Sequence, residues 1–385
     1  MIELLQRLGY APAFAVWELT LRCNLRCLHC GSYAGAARED ELGLDECLQV
    51  ADDLARLGCR RMTLGGGEPT LHPHWAAIGK RLSGQGVLVN LISNGWAWTQ
   101  EHVDQAVEGG FVNLGFSVDG LGPAHDTVRR IGSFERVMSA IDLCARSGVS
   151  VAVATHVNQL NARTLPELGR WLLEHGVQHW QIQLGTASGH MSEHRDLVIR
   201  PEDLLWLVPQ IAELRANAAP GFELQPAHNV GYYGPHERAL RSDGSPLDVW
   251  VGCRAGCQVI GIESNGNVKG CLSLPSARHG QRRFVEGNLL ASRLPELWTG
   301  ERAFSLNRSF HAEQLTGFCA VCRYRDICRG GCAWTAYDAA TDRFDNHYCF
   351  YRQAVRHRRF DLLGDDEPTA DELAAIEPAA TLAAH

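Results

Sequence analysis

The sequence predicts an α/β chain: a partial (β/α)6 TIM-like barrel followed by a small cysteine-rich domain. Three observations predict it. From residue 13 to 215, short β-branched runs alternate with amphipathic stretches of helical period, the rhythm of parallel strands joined by crossover helices. A loop holding three cysteines follows the first run, and it favours a part-closed barrel over an open doubly wound sheet, which would show the same rhythm. Eight of the 14 cysteines then fall between residues 251 and 350, among short pieces that lack the apolar runs of an unaided core.

The strands are expected, in order, at AFAVWELT (13–20), RRMTL (60–64), VLVNLI (87–92), VNLGFS (112–117), VSVAVATHV (149–157) and QHWQIQL (178–184). Between them LDECLQVADDLARL, SFERVMSAIDLCARSG and TLPELGRWLLEHG carry apolar residues at i, i+3, i+4 and i+7, as helices covering a sheet do. Several of these stretches end at glycine, a common helix stop. Residues 1–12 form an N-terminal extension, 13–215 the barrel, 216–250 a bridge rich in Pro, Gly and His, and 251–350 the cysteine-rich domain. A domain so poor in apolar runs is expected to be held by its metal centres and to unfold without them. The remainder, 351–385, ends in the acidic, Ala/Pro-rich LLGDDEPTADELAAIEPAATLAAH and is expected to be a solvated tail or a loose helix.

A chain of 385 residues, 45% hydrophobic and 21% charged, is long enough for two or three cored domains. The formal charge of -8 argues against a nucleic-acid partner bound by phosphate neutralisation. The N-terminus lacks a secretory signal and no apolar run reaches membrane-spanning length, so neither export nor a membrane is expected. The expected location is the cytoplasm, where thiols stay reduced and clustered cysteines read as metal ligands rather than disulfides.

The run CNLRCLHC offers three thiolates, Cys23, Cys27 and Cys30, to a site that wants four. Structural zinc normally has all four positions filled by protein, whereas a four-iron cluster held by three cysteines keeps one iron open to another molecule. This loop, placed after the first strand, resembles the signature of the radical S-adenosylmethionine (SAM) superfamily, apart from His29, where that family usually has an aromatic residue. The resemblance implies that the open iron chelates the amino and carboxylate groups of SAM and that an electron passed into the sulfonium releases a 5'-deoxyadenosyl radical.

Other strand ends carry further parts of the pattern. Gly65-Gly66-Gly67-Glu68-Pro69 after strand two resembles the GGEP segment that holds the amino group of SAM; the glycines permit close backbone approach and the carboxylate suits an ammonium. Standing alone, GGGEP would be an ordinary turn. Asn94 after strand three, and Ser117 and Asp119 at the end of strand four, lie at the carboxyl edge where α/β proteins place ligands. By resemblance they sit near the ribose and methionine parts of SAM, Arg129 of the segment HDTVR reaches its carboxylate, and Asn158 after strand five is a further contact.

Cys253-x3-Cys257-x13-Cys271, then Cys319-x2-Cys322-x5-Cys328-x3-Cys332, then Cys349, resembles the SPASM extension of radical SAM enzymes. That resemblance implies one auxiliary cluster on Cys253, Cys257, Cys271 and Cys332 and another on Cys319, Cys322, Cys328 and Cys349, giving three [4Fe-4S] clusters in all. C-x2-C spacing alone would equally allow two structural zinc sites, but eight cysteines in this order beside an open three-cysteine loop favour iron. Cys47, Cys59 and Cys144 read as small buried core residues, with hydrogen-atom donation to a substrate radical as the alternative. Sulfatase-maturing relatives place a basic aspartate directly after the cysteine that here is Cys271; Leu272 at that position disfavours that reaction, and no residue, Glu263 included, is singled out as a replacement.

The resemblance implies an oxidoreductase that abstracts a hydrogen atom from an unactivated carbon and oxidatively cross-links a ribosomally made peptide. Its partners would be the peptide, alone or with a separate leader-recognition protein, and an external electron donor of flavodoxin or ferredoxin type. Only about a dozen residues precede strand one, too few for a fused leader-recognition domain. The alternative is a small-molecule or cofactor-pathway enzyme, such as a tetrapyrrole decarboxylase or a sugar or alcohol dehydrogenase. Cys253 and Cys257 lean away from the tetrapyrrole enzymes, which generally have fewer cysteines ahead of the C-x2-C block.

Overall fold

A computed structural model describes residues 9–241 and 248–376. The segment 1–8 of the extension, part of the bridge at 242–247 and the last residues, 377–385, lie outside the described residues. The described chain divides into two compact units, each assembled from separated segments: 1–198, 220–223 and 254–309 in one, 199–219, 224–253 and 310–385 in the other.

The first unit is built on the alternating runs. Strands β1 (Phe14–Thr20), β2 (Arg61–Gly66), β3 (Leu88–Ser93), β4 (Phe111–Ser117), β5 (Val151–Val157) and β6 (His179–Leu184) pair in sequence order and in parallel, within two residues of the expected bounds. Helices α1 (Leu44–Arg56), α2 (Trp75–Ser83), α3 (Gln100–Glu108), α4 (Pro123–Val128), α5 (Ser133–Arg146) and α6 (Leu165–Glu174) lie between them. The alternation along each strand separates two faces. Trp17, Met62, Leu64, Val89, Leu114, Val153 and Trp180 are fully buried on the helix side, each large side chain contributing about 1.5–3 kcal/mol by leaving water. Trp180 lies so close to Gly169 of α6 that a side chain there would collide with its ring. The opposite face, bearing Val16, Thr63, Asn90, Asn113, Ser117, Gln181 and Gln183, keeps at least partial exposure.

The sheet continues past the six expected strands. β7 (Val259–Ile262) pairs in parallel with β1, followed by the antiparallel β8 (Asn267–Lys269) and β9 (Val285–Asn288), so the order across this part of the sheet is β9-β8-β7-β1-β2-β3-β4-β5-β6. The first half of the cysteine-rich region thus covers the open edge of β1 and satisfies its backbone groups. A buried ion pair between Lys269 Nζ and Glu263 Oε1 (3.1 Å) fixes the β7–β8 turn.

The second unit packs α7 (Leu204–Ala216), α8 (Gly317–Val321), α9 (Arg325–Cys328), α10 (Phe350–Arg356) and α11 (Ala370–Ala374) around an aromatic core of Tyr232, Tyr233, Trp250, Phe318 and Tyr351. Tyr233 and Tyr324 stack with ring centroids 3.8 Å apart. The acidic end is not a solvated tail as far as it is described. Glu372 of α11 is wholly buried, accepting hydrogen bonds from the Tyr351 hydroxyl (3.0 Å) and the backbone N–H of Arg323 (2.8 Å). Among the described residues no helix is long and apolar enough to cross a membrane.

Candidate cluster and cofactor site

The loop between β1 and α1 places Cys23, Cys27 and Cys30 under a set of donors. The backbone N–H groups of Leu25 and Ala34 approach the sulfurs of Cys23 and Cys30 at 3.4 Å each, Asn94 Nδ2 lies 3.7 Å from Cys23 Sγ and Arg129 Nη1 3.9 Å from Cys27 Sγ. Burial pushes the Cys23 thiol up, and that of Cys27 to about 11, so metal uptake here displaces protons. Three sulfurs with N–H and guanidinium donors aimed at them suit a cluster whose bridging and ligand sulfurs carry negative charge. Among the described residues no group of three or more His, Cys, Asp or Glu is gathered tightly enough to hold a single metal ion, whereas a cubane spreads its ligands over its corners.

The GGGEP segment is docked on the start of this loop. Gly67 N–H donates to the carbonyl of Thr20 and Glu68 N–H to that of Arg22, both at 2.8 Å, and a Cβ on Gly66 (φ +137°) or Gly67 would strike those same carbonyl groups. Glu68 is fully buried and accepts from Thr70 N–H (3.3 Å), Thr70 Oγ1 (2.7 Å), Ser93 Oγ (2.9 Å) and Asn94 N–H (2.8 Å). Burial raises its carboxyl pKa against the pull of those donors. Four protein donors leave that carboxylate little capacity for a ligand ammonium; it ties the ends of β2 and β3 together, with Pro69 opening the turn between them.

Asp119, after β4, is the electrostatic hub. Its carboxylate receives Arg129 Nε at 2.6 Å, His156 N–H at 2.8 Å and lies 3.3 Å from His29 Nε2, while Asp119 N–H donates to His125 Nδ1 (3.1 Å). Burial alone would raise its pKa, but the Arg129 guanidinium and the surrounding histidines hold it well below the usual carboxylate range. Burial depresses His29 strongly, and lowers His125 and His156 to about 4 each, so all three are neutral imidazoles near pH 7. The rings of His29 and His156 pack 4.4 Å apart. His29 thus occupies the family's aromatic position as a buried ring. Ser117 is half-buried at the edge of the open face. The Asn94 side chain bridges Asn24 Oδ1 (2.7 Å) and Trp96 N–H (2.9 Å). Asn158 is fully buried; its side chain accepts from Leu160 N–H and donates to His156 O, folding a turn.

A further part of this site comes from a segment that the sequence marks only by His190, near the end of strand six. The segment after β6 seats on the cysteine loop: His190 N–H donates to Cys30 O (2.9 Å), His190 Nδ1 lies 3.2 Å from Cys27 O, and Gly189 (φ +56°) approaches Cys30 so closely that a Cβ would collide with its carbonyl.

Cys319, Cys322, Cys328 and Cys349 all line one small cavity in the second unit, with Tyr232, Tyr233 and Phe318 among its walls. Burial pushes Cys349 up to about 11 and Cys319 to about 12, with Cys322 and Cys328 raised as well. Asn346 N–H (3.3 Å to Cys319 Sγ) and Arg352 N–H (3.5 Å to Cys349 Sγ) supply donors. Glu372 holds the backbone of Arg323, the residue after Cys322. Glu372→Ala is expected to cost about 2–4 kcal/mol by leaving that N–H and the Tyr351 hydroxyl unpaired, and to speed iron loss under a chelator; unchanged iron retention by absorbance would contradict this. Of the other four cysteines between residues 251 and 350, Cys257 and Cys271 belong to the first unit and Cys253 and Cys332 to the second.

The remaining candidates are accounted for by packing. Cys47, Cys59 and Cys144 are buried, with thiols raised to about 12, 11 and 12 by burial; Cys47 and Cys144 lie on the helices that cover the other face of the sheet. Glu263 is engaged by Lys269, Ser276 and Asn267. Burial alone would raise it, but Lys269 and these donors keep it ionised, and its oxygens are taken by structural partners.

Residues 17–172 match the sequence pattern of the radical SAM superfamily, and residues 253–323 that of the SPASM iron-sulfur cluster-binding domain. The chain is 27% identical to the AdoMet-dependent heme synthase of Methanosarcina barkeri over 89% of this chain and 97% of that protein. It is 28% identical to the mycofactocin maturase MftC of Mycobacterium tuberculosis over 86% and 81%. In fold it resembles SuiB of Streptococcus suis bound to S-adenosylmethionine (TM-score 0.70, 15% identity, 88% of this chain and 77% of that one). It also resembles anSMEcpe with bound AdoMet (TM-score 0.67, 17% identity, 92% and 100%).

Proposed function

Because this chain belongs to the radical SAM superfamily and carries a SPASM iron-sulfur cluster-binding domain, we propose that it reductively cleaves SAM and oxidatively cross-links a ribosomally made peptide. Cys23, Cys27 and Cys30 would hold the open cluster, and the eight SPASM cysteines two auxiliary ones in the groupings given above. When bound, the open cluster and SAM supply the radical that takes a hydrogen atom from an unactivated carbon. The chain's own residues fix the edge where SAM would lie. Glu68 locks the β2 and β3 ends, and Asp119 orients Arg129, whose guanidinium is the cation available to a ligand carboxylate.

The observation that carries the substrate class is the open face of the sheet. Thr63, Asn90 and Asn113 form one cross-strand row, and Gln181 and Gln183 follow on β6. Asn90 Oδ1 is shielded from water and has no donor among the described residues. Uncharged donor-acceptor side chains suit the amides of an extended peptide. Among the described residues of this face on β1–β6, Arg61 alone is an arginine or lysine, and it lies at the amino end of its strand. A tetrapyrrole with several carboxylates would call for more cations.

The relative named as a heme synthase supports a second reading, tetrapyrrole side-chain chemistry. The two are separated by giving the reduced, cluster-loaded protein SAM with either a randomised peptide pool or an iron-porphyrin tetracarboxylate. The peptide reading requires 5'-deoxyadenosine formation stimulated by peptide and a peptide mass lower by two hydrogens. Stimulation by the porphyrin alone, with loss of its carboxylates, would replace it with the second reading.

A further inference from the structure

Around the cysteine loop lies a group of cations that the site itself does not use. Arg130 and Arg136 place their guanidinium carbons 3.9 Å and 4.4 Å from the centre of one Trp96 ring. Arg130 Nη1 also donates to the carbonyl of Asn24 (3.3 Å), the residue after Cys23. Arg26, next to Cys27, is exposed, as are Arg130 and Arg136. Among the described residues none of the three is ion-paired. Asp126, four residues before Arg130, is turned inward onto the backbone N–H groups of Gly132 (2.7 Å) and Phe134 (2.8 Å), and the exposed Glu135 beside Arg136 makes no ion pair with the three among the described residues. Ile131, between Arg130 and that turn, is 88% exposed.

Two guanidinium groups gathered on one indole repel each other, and the cation–π attraction to Trp96 only partly offsets this. Exposed positive charge on a chain with net charge -8, with an exposed isoleucine next to Arg130, has the composition of a docking surface: charged groups beside an apolar contact. Its place identifies the occupant. Arg130 touches the cysteine loop, and its neighbour Arg129 lies 3.9 Å from Cys27 Sγ, so a carrier seated here would stand within short range of the open cluster.

We propose that Arg26, Arg130, Arg136, Trp96 and Ile131 form the docking surface for an acidic one-electron carrier protein, which passes its electron through this loop to the cluster held by Cys23, Cys27 and Cys30. The inference rests on the radical SAM reading and adds the donor's entry point. The carrier is oxidised by one electron and the cluster reduced by one, and no atom moves. Electrostatic docking of this kind acts mainly on the association rate and weakens with salt.

The test uses the cluster-loaded full chain with SAM, measuring 5'-deoxyadenosine with either dithionite or a reductase-driven flavodoxin as donor. For the double variant Arg130→Glu/Arg136→Glu the flavodoxin-driven rate is expected to fall more than tenfold while the dithionite-driven rate holds within twofold. Wild-type turnover with flavodoxin should fall steeply as salt rises, and that of the variant should not. Arg130→Gln/Arg136→Gln, milder in its effect on the loop, should fall between. Equal flavodoxin rates in all three proteins would overturn the inference, as would a parallel loss with both donors, which would make the arginines supports of the cluster loop. A change confined to peptide affinity would reassign the surface to the substrate. If wild type forms no 5'-deoxyadenosine even with dithionite, the radical SAM reading itself fails and the inference falls with it.

Discussion

Cys27→Ser is expected to lower 5'-deoxyadenosine formation by at least ~100-fold while leaving the chain folded and about eight of twelve irons bound. A cluster with three protein ligands has no spare: losing one leaves two thiolates in a loop otherwise closed by backbone contacts from Val128 and His190. Serine cannot replace the sulfur, because its hydroxyl is neither soft nor readily ionised. Iron per chain and 5'-deoxyadenosine by chromatography check the expectation together. Full activity in the variant would place the open site elsewhere. Loss of all the iron would show that the cysteine loop supports the whole fold rather than one centre.

Asp119→Asn is expected to be the most destabilising single change at the site, at about 3–5 kcal/mol, read as a lowered thermal midpoint. Asp119 is fully buried against Arg129, itself only 10% exposed at its side chain, and removing the carboxylate leaves an uncompensated guanidinium beside Cys27. Because Arg129 holds the folded-state pKa of Asp119 below its unfolded value, its stabilisation is fully present above the ordinary carboxylate range and is lost only in strong acid. The adjacent histidines act in the same direction but at higher pH. His125 and His156 titrate at about 4 when folded against an ordinary 6.5, so between pH 6.5 and 4 the unfolded chain binds more protons than the folded one. Stability should therefore fall as pH drops through that window and stay level above it. A thermal midpoint flat from pH 7 to 4.5 would contradict the buried, neutral state assigned to both rings.

The six parallel strands and their helices were legible because their periodicity reflects which face is buried. Trp17, Leu64, Val153 and Trp180 mark the helix side, and their neighbours on the other face alternate with them. The cysteine loop was legible as a loop from its close spacing after the first strand, and the fold places it there, between β1 and α1. Roles set by contacts distant in sequence were not. Val259–Ile262 is a short apolar run whose pairing with β1 depends on an open sheet edge that no local pattern announces. Glu372 sits in a polar, Ala-rich stretch that reads as solvated, and only Tyr351 and the Arg323 backbone make its burial favourable. Glu68 and Asn158 read as ligand contacts by position, yet their side chains bond to neighbouring backbone and hydroxyl groups, because carboxylates and amides at strand ends serve turns as readily as ligands.

The central claim is that this chain holds a SAM-cleaving iron–sulfur cluster on Cys23, Cys27 and Cys30. The most direct measurement is anaerobic incubation of the iron-loaded chain with SAM and dithionite, followed by quantitation of 5'-deoxyadenosine and methionine, with Cys23→Ala run in parallel. The account predicts both products in equal amounts from the wild-type chain and neither from the variant. Intact SAM from an iron-loaded wild-type chain, or equal product from Cys23→Ala, would contradict it.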